Sequence, residues 1–179
     1  MSEPTREDFS LPIRNAQNLT PVDSYLSGSW EALGAGAPIL VALAQICSQA
    51  LVSQPTIERS DLSEAAQAIL YAAKNRGIFE VKGVNSAFEA SARLVAVYVE
   101  VDDETFMAFR DRNHPETTAI FIEGFRELCA GGLVHHHIHR DFSLTEQGFE
   151  MARKIHYPEV RPWLEKATEF SISESGLHD

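Results

Sequence analysis

Phe125-Arg126-Glu127-Leu128-Cys129-Ala130-Gly131-Gly132-Leu133-Val134 and, just beyond it, Phe142-Ser143-Leu144-Thr145-Glu146-Gln147-Gly148-Phe149-Glu150-Met151-Ala152 form the stretch that decides the fold. The paired glycines stop a helix, because glycine enters the left-handed conformation of a helix C-terminus without a steric penalty. That helix opens at Pro115 and sets Ile120, Phe121, Phe125 and Leu128 on one face. Leu133 to His139 then reads as a strand and Asp141 to Leu144 as its partner across a very short connection. Thr145 ahead of Glu146 caps a further helix, to Ile155, with Phe149 and Ala152 facing inward.

Upstream, Asp61-Leu62-Ser63-Glu64 has the form of a capping box, and Leu62, Ala65, Ala66, Ile69, Leu70 and Ala73 recur at helical spacing until Gly77. Ile78 to Lys82 alternates apolar and polar residues, as a half-buried strand does. Residues 86–101 fit two readings. Phe88, Ala92, Val95 and Val99 sit at helical steps, whereas Leu94 to Val101 is rich in β-branched residues. The helix is preferred; a strand there would turn the fold into a mixed α+β sheet. Asp102-Asp103-Glu104 reads as the acidic, solvated start of another helical piece running to Arg112, and not as a metal-binding acid cluster.

The helix ending in Gly131-Gly132-Leu133-Val134, the short hairpin and the Leu144-Thr145-Glu146-Gln147-Gly148 helix start together resemble the second half of winged helix-turn-helix domains. The resemblance covers about 30 residues directly and implies a mainly α fold with a small β-hairpin: a winged-helix-like domain carrying extra N- and C-terminal helices. The expected organisation is a flexible arm over 1–20, an N-terminal helical extension over 21–59, the winged-helix-like domain over 60–156, and a C-terminal helix with an acidic tail over 157–179. The extension includes a short helix with Tyr25, Leu26 and Trp30, and a second from Ile39 to Ser53 that is apolar nearly all round. The last helix carries Val160, Trp163, Leu164 and Ala167.

In that superfamily the helix before the wing often enters the DNA major groove while the wing touches phosphates. Carried over, the resemblance makes Glu116 to Ala130 the reading helix, with Thr117, Thr118, Glu123, Arg126 and Glu127 outward. Arg140 and His139 lie on the wing, and Arg110, Arg112, Asn113 and His114 on the approach. Against it stands charge. The 179 residues hold 26 acids and 15 bases, a net of −11, and an acidic chain repels DNA unless its few cations are gathered in one place. The expected function is therefore a non-enzymatic protein-interaction or assembly module, with a DNA-binding transcriptional regulator as the alternative. Tyr25, Trp30 and Trp163 are candidate contacts to a protein partner or a second copy, since winged-helix proteins commonly dimerise through added terminal helices.

A third reading starts from His135-His136-His137 and His139, because on a strand His135, His137 and His139 share a face and imidazoles bind zinc, copper or nickel. Three ligands strung along one flat strand converge poorly, so this ranks last, and no cofactor is expected. Cys47 and Cys129 are far apart without CxxC spacing, and Cys129 reads as a buried structural cysteine. Gly-rich phosphate loops, GxSxG and HExxH are missing from the sequence, which argues against an enzyme. Pro38 to Val52 is shorter than the roughly 20 residues that cross a bilayer, and Met1 to Asn15 has neither signal- nor transit-peptide character. A cytoplasmic protein without membrane attachment is expected.

Overall fold

Val97, Tyr98 and Val99 are all buried, and that continuous burial decides the architecture. A strand covered on both faces has no polar positions to alternate with, so it reads as an apolar run. The computed structural model describes residues 37–83 and 94–171. Within them the chain runs α1 (Ala37–Ser53), a 3-10 turn (Arg59–Asp61), α2 (Glu64–Ala72), β1 (Ile78–Lys82), β2 (Ala96–Glu100) and β3 (Thr105–Phe109). It continues through α3 (Pro115–Ala130), β4 (Val134–His136), β5 (Asp141–Leu144), α4 (Glu146–Arg153), α5 (Tyr157–Leu164) and β6 (Thr168–Ser171). The six strands form one sheet in the order β4-β5-β1-β2-β3-β6, every neighbouring pair antiparallel.

This overturns the mainly α, winged-helix-like expectation: the described residues are about 49% helix and 20% strand, with six strands in one sheet where a small hairpin and one separate short strand were expected. Three elements account for the difference. The described part of 86–101 is strand β2, with Val97 and Val99 on one face and Ala96 and Tyr98 on the other. The piece after Asp102 is strand β3. Asp102 accepts hydrogen bonds from the backbone of Glu104 and Thr105 at 2.9 and 2.8 Å, so its carboxylate closes a hairpin turn and caps no helix. The C-terminal helix stops at Leu164, and Thr168–Ser171 returns as an edge strand pairing Thr168 with Ala108 and Met107 with Glu169.

The described helices pack against one face of the sheet. Phe79 and Val81 of β1, Val97 and Val99 of β2, Phe109 of β3 and Phe142 and Leu144 of β5 meet Ile69, Leu70, Phe121, Phe125 and Leu128 in one core. Phe125 sits at its centre, with edge-on contacts to Phe79 and Phe142 at 5.3 Å each. Leu40, Leu43 and Cys47 of α1 and Val160 of α5 belong to the same core. Helix α3 crosses α2 closely at Gly124, where a Cβ would come within 2.8 Å of the Ala66 nitrogen. Several local readings match: β1, β5 and α3 have the expected bounds, and Gly77 lies at φ 69°. The cap of α2 is Ser63, whose hydroxyl accepts from Ala66, two residues past Asp61. Among the described residues no helix is long and apolar enough to cross a membrane.

Candidate functional site

Helix α1 runs for 17 residues, about 25 Å at the usual helical rise, without a single charged side chain in a chain that is 23% charged. Leu40, Leu43, Cys47 and Ala50 recur at steps of three and four and form its buried stripe. That stripe lies against α3 and β4. On the other side Pro38, Ala42, Gln45, Gln49 and Val52 are exposed, and Leu51 and Val52 are 58% and 87% accessible. The helix ends at Gln54, which takes a left-handed φ of 47° while its N–H bonds to the Ala50 carbonyl at 2.8 Å. Pro55 follows and prevents continuation.

A cavity of about 440 Å³ opens beside this helix end. Cys47, Leu51, Gln54 and Pro55 line one side of it, and Val134 and His135 of β4 with Thr145, the cap of α4, and Glu146 line the other. Thr145 holds the far wall: its hydroxyl donates to the Gly132 carbonyl and accepts from the Gly148 N–H, both at 3.0 Å. Gly148 lets α4 approach, since a Cβ there would sit 2.3 Å from the Leu133 carbonyl oxygen. A second cavity, near 100 Å³, lies between Cys47, Ser48, Leu51, His135 and His136.

Cys47 is 4% exposed and Cys129, on α3, is fully buried; both are free thiols. Interaction with the Cys129 thiol holds the Cys47 thiol below its ordinary pKa, against the opposing effect of burial. Interaction with Cys47, together with burial, pushes Cys129 well above. Nothing in the local sequence around either cysteine announces the pair.

The proposed DNA contacts do not form a cationic face. Arg126 forms an ion pair with Glu123, its Nε donating at 2.8 and 2.9 Å. Arg140 lies 3.5 Å from Glu80. Arg110 is 6% exposed and Thr118 is 1% exposed, so neither presents its side chain outward. Thr118 instead accepts the Asp111 N–H at 3.1 Å. Arg112 and Asn113 are exposed in a turn organised by Asp111, which accepts from the Asn113 and His114 backbone and from His114 Nδ1. Thr117 is half-buried, and Glu127 turns inward to accept the Ser63 N–H at 2.8 Å. The outward strip of α3 is left with Glu116, Ala119, Ile120, Glu123, Arg126 and Ala130.

The histidines also separate. Strand β4 stops at His136 instead of reaching His139, which sits at φ 51° in the turn. His135 is opposite Ser143, His137 Nε2 bonds to the Ser143 hydroxyl at 2.7 Å, and His136 stacks near Phe142 with centroids 4.9 Å apart. His139 therefore lies off the strand that was expected to carry it beside His135 and His137, and among the described residues no three His, Cys, Asp or Glu side chains are placed to hold a metal. Trp163 is half-buried: it packs edge-on against Phe121 and donates from Nε1 to Glu64 at 2.7 Å. Tyr25 and Trp30 lie outside the described residues. No protein-family model, curated protein or solved structure matches this chain.

Proposed function

We propose that this is a cytoplasmic, non-enzymatic assembly protein that associates with a second copy of itself through the outer side of α1. The observation that carries the reading is the combination of exposure and neutrality in that helix. Leu51 and Val52 are 58% and 87% accessible on a surface segment with no charge. Isolated exposed apolar residues are ordinary, but a contiguous uncharged helix face is the usual mark of a contact surface. Charge selects the occupant. Two copies carrying −11 each repel across most of their surface, so the face on which they can meet at least cost is the one without ionised groups. The engaged state of Arg126 and Arg140 and the two acids on the outer strip of α3 speak for a protein contact over DNA.

A single helix face about 25 Å long covers less than the roughly 800 Å² per partner of a standard interface, so the expected dimer is in the micromolar range. Sedimentation velocity of the full chain over a hundredfold concentration range measures it. Concentration-dependent dimerisation that disappears in the Leu51→Asp, Val52→Asp double variant supports the reading. A chain that stays monomeric throughout, or a dimer indifferent to both substitutions, overturns it.

A further inference from the structure

We propose that the cavity at the end of α1 is a binding site for a small amphipathic organic cation, an amine carried on a short apolar body. Size is the first argument. Protein interiors close-pack with few voids larger than a water molecule, whereas this cavity measures about 440 Å³, within the roughly 300–1,000 Å³ of pockets that hold small organic molecules. The backbone builds the space. Helix α1 breaks off at Gln54 and Pro55, Gly132 turns the chain at φ 68° between α3 and β4, and Gly148 lets α4 close on Leu133. The smaller cavity, near 100 Å³, shares Cys47, Leu51 and His135 with it.

The lining selects the ligand. Leu51, Pro55 and Val134 give an apolar wall that takes a hydrocarbon body. Gln54, His135, Glu146 and Gln147 supply polar groups, and none of these four side chains is engaged in a hydrogen bond or ion pair among the described residues. Thr145 differs, because its hydroxyl is already bonded to Gly132 and Gly148. Among the described residues no lysine or arginine lines the cavity, so a carboxylate or phosphate on the ligand would lose its water without gaining a counter-charge. The lining carries one carboxylate, Glu146, which accepts N–H donors from an ammonium group, and Gln54 and Gln147 add amide oxygens. The N-terminal dipole of α4 offsets part of the Glu146 charge. Carboxylate and amide oxygens therefore hold the ammonium together, and the apolar wall supplies the rest of the affinity. At longer range the net charge of −11 draws cations towards the surface. All the lining residues belong to one chain, which makes the site independent of the self-association reading.

The test titrates the full chain with three molecules that share a phenyl ring and differ in head group: 2-phenylethylamine, 2-phenylethanol and 3-phenylpropanoate. Methyl NMR spectra follow the binding at about pH 8, where alkylammonium groups, like lysine, keep their charge and imidazoles in general are neutral. The expected result is saturable shifts of the Leu51, Val134 and Thr145 methyls with the amine, binding about fivefold weaker for the alcohol, and none for the carboxylate. Fivefold is the upper end of what a solvent-exposed ion pair contributes. Glu146→Gln should bring the amine down to the affinity of the alcohol and leave the alcohol unchanged, which also reports an intact fold. Val52→Asp alters the proposed contact between copies at a residue outside the cavity lining, and it should give the same titrations as wild type. No saturable shift with the amine overturns the proposal, as do shifts centred elsewhere in the chain. A carboxylate that binds as well as the amine, or an amine affinity indifferent to Glu146→Gln, overturns the assignment of a cation. Binding in wild type that is lost in Val52→Asp overturns a site within one chain.

Discussion

Helices α1 and α3 are 17 and 16 residues long and pack against each other, yet they stand in opposite relation to solvent. Helix α3 carries four charged residues and is the more deeply enclosed, with Phe121, Phe125, Leu128 and Cys129 fully buried between the sheet and its neighbouring helices. Helix α1 carries none and leaves an apolar edge in water. The charged residues of α3 are mostly absorbed by the fold itself: Glu123 binds Arg126, and Glu127 satisfies the start of α2. Charge along a helix is thus a poor guide to which helix meets a partner. A neutral helix that buries only one stripe within its own chain has apolar surface left over, and that surplus is what association uses.

The comparison breaks most visibly if α3 is not the keystone. Phe125→Ala removes the ring between Phe79 and Phe142, and a buried Phe→Ala change costs about 3–5 kcal/mol. Gly124→Val presses a branched side chain on the Ala66 backbone, already 2.8 Å from the added Cβ, and should cost about 1–3 kcal/mol or more through overpacking. Urea unfolding of the monomer measures both. Loss of less than about 1 kcal/mol in Phe125→Ala would mean that the sheet and α2 hold together without α3, contrary to the burial.

The counterpart on α1 separates stability from association. Leu51→Asp with Val52→Asp sits on exposed positions, so the unfolding free energy of the monomer should move by no more than about 0.5 kcal/mol. The dimer dissociation constant should rise at least about tenfold, equivalent to roughly 1.4 kcal/mol, because two carboxylates would have to be desolvated in the contact. A matching fall in monomer stability would assign Leu51 to the core, and the contrast between the two helices would collapse.

The same contrast explains what could be read in the chain and what could not. Elements with chemical terminators were legible: Gly77 at φ 69° ahead of β1, Pro115 and Gly131 bounding α3, and Thr145 capping α4. Strands β2 and β3 were read as helical because their apolar residues face both sides of a central sheet position, which erases the period-two signal. Strand β6 exists because Thr168 meets Ala108 some sixty residues back, a pairing with no local signature. For the site, the neutrality of α1 was visible in composition, but which of its sides is buried depends on β4 and α3. That Cys47 and Cys129 act on each other's ionisation was invisible, since tertiary packing and not spacing brings their helices together. The histidine run looked like a continuous strand face because nothing local announces that His139 turns to φ 51°.

A smaller effect sharpens the account of how α3 begins. Asp111 is held below the ordinary carboxylate range by its bond to the His114 side chain and by the Asn113 and His114 backbone N–H groups. A depressed folded pKa gives stability that is present above the unfolded value and is lost as pH falls through the folded one. The stability gap between wild type and Asp111→Asn should therefore be constant at neutral pH and close below about pH 4, the unperturbed range of aspartate. A gap that persists into stronger acid would show that the turn is held by its backbone alone.

The smallest effects belong to the outer strip of α3. Arg126 and Glu123 are 46% and 56% exposed, and such pairs contribute about 0–1 kcal/mol, so Arg126→Ala should leave stability nearly unchanged. Were α3 a DNA-reading helix, the same substitution would instead weaken binding to a duplex and reduce its salt dependence. Fluorescence anisotropy with a labelled random-sequence duplex at low salt distinguishes the two roles. A flat titration for both wild type and variant is expected, because Glu123 already answers the Arg126 charge, Glu80 answers Arg140, and the net charge of −11 repels the phosphates. Binding that weakens steeply with salt and is diminished in Arg126→Ala would give α3, and not α1, the partner surface, because phosphate would then have displaced Glu123 from the guanidinium.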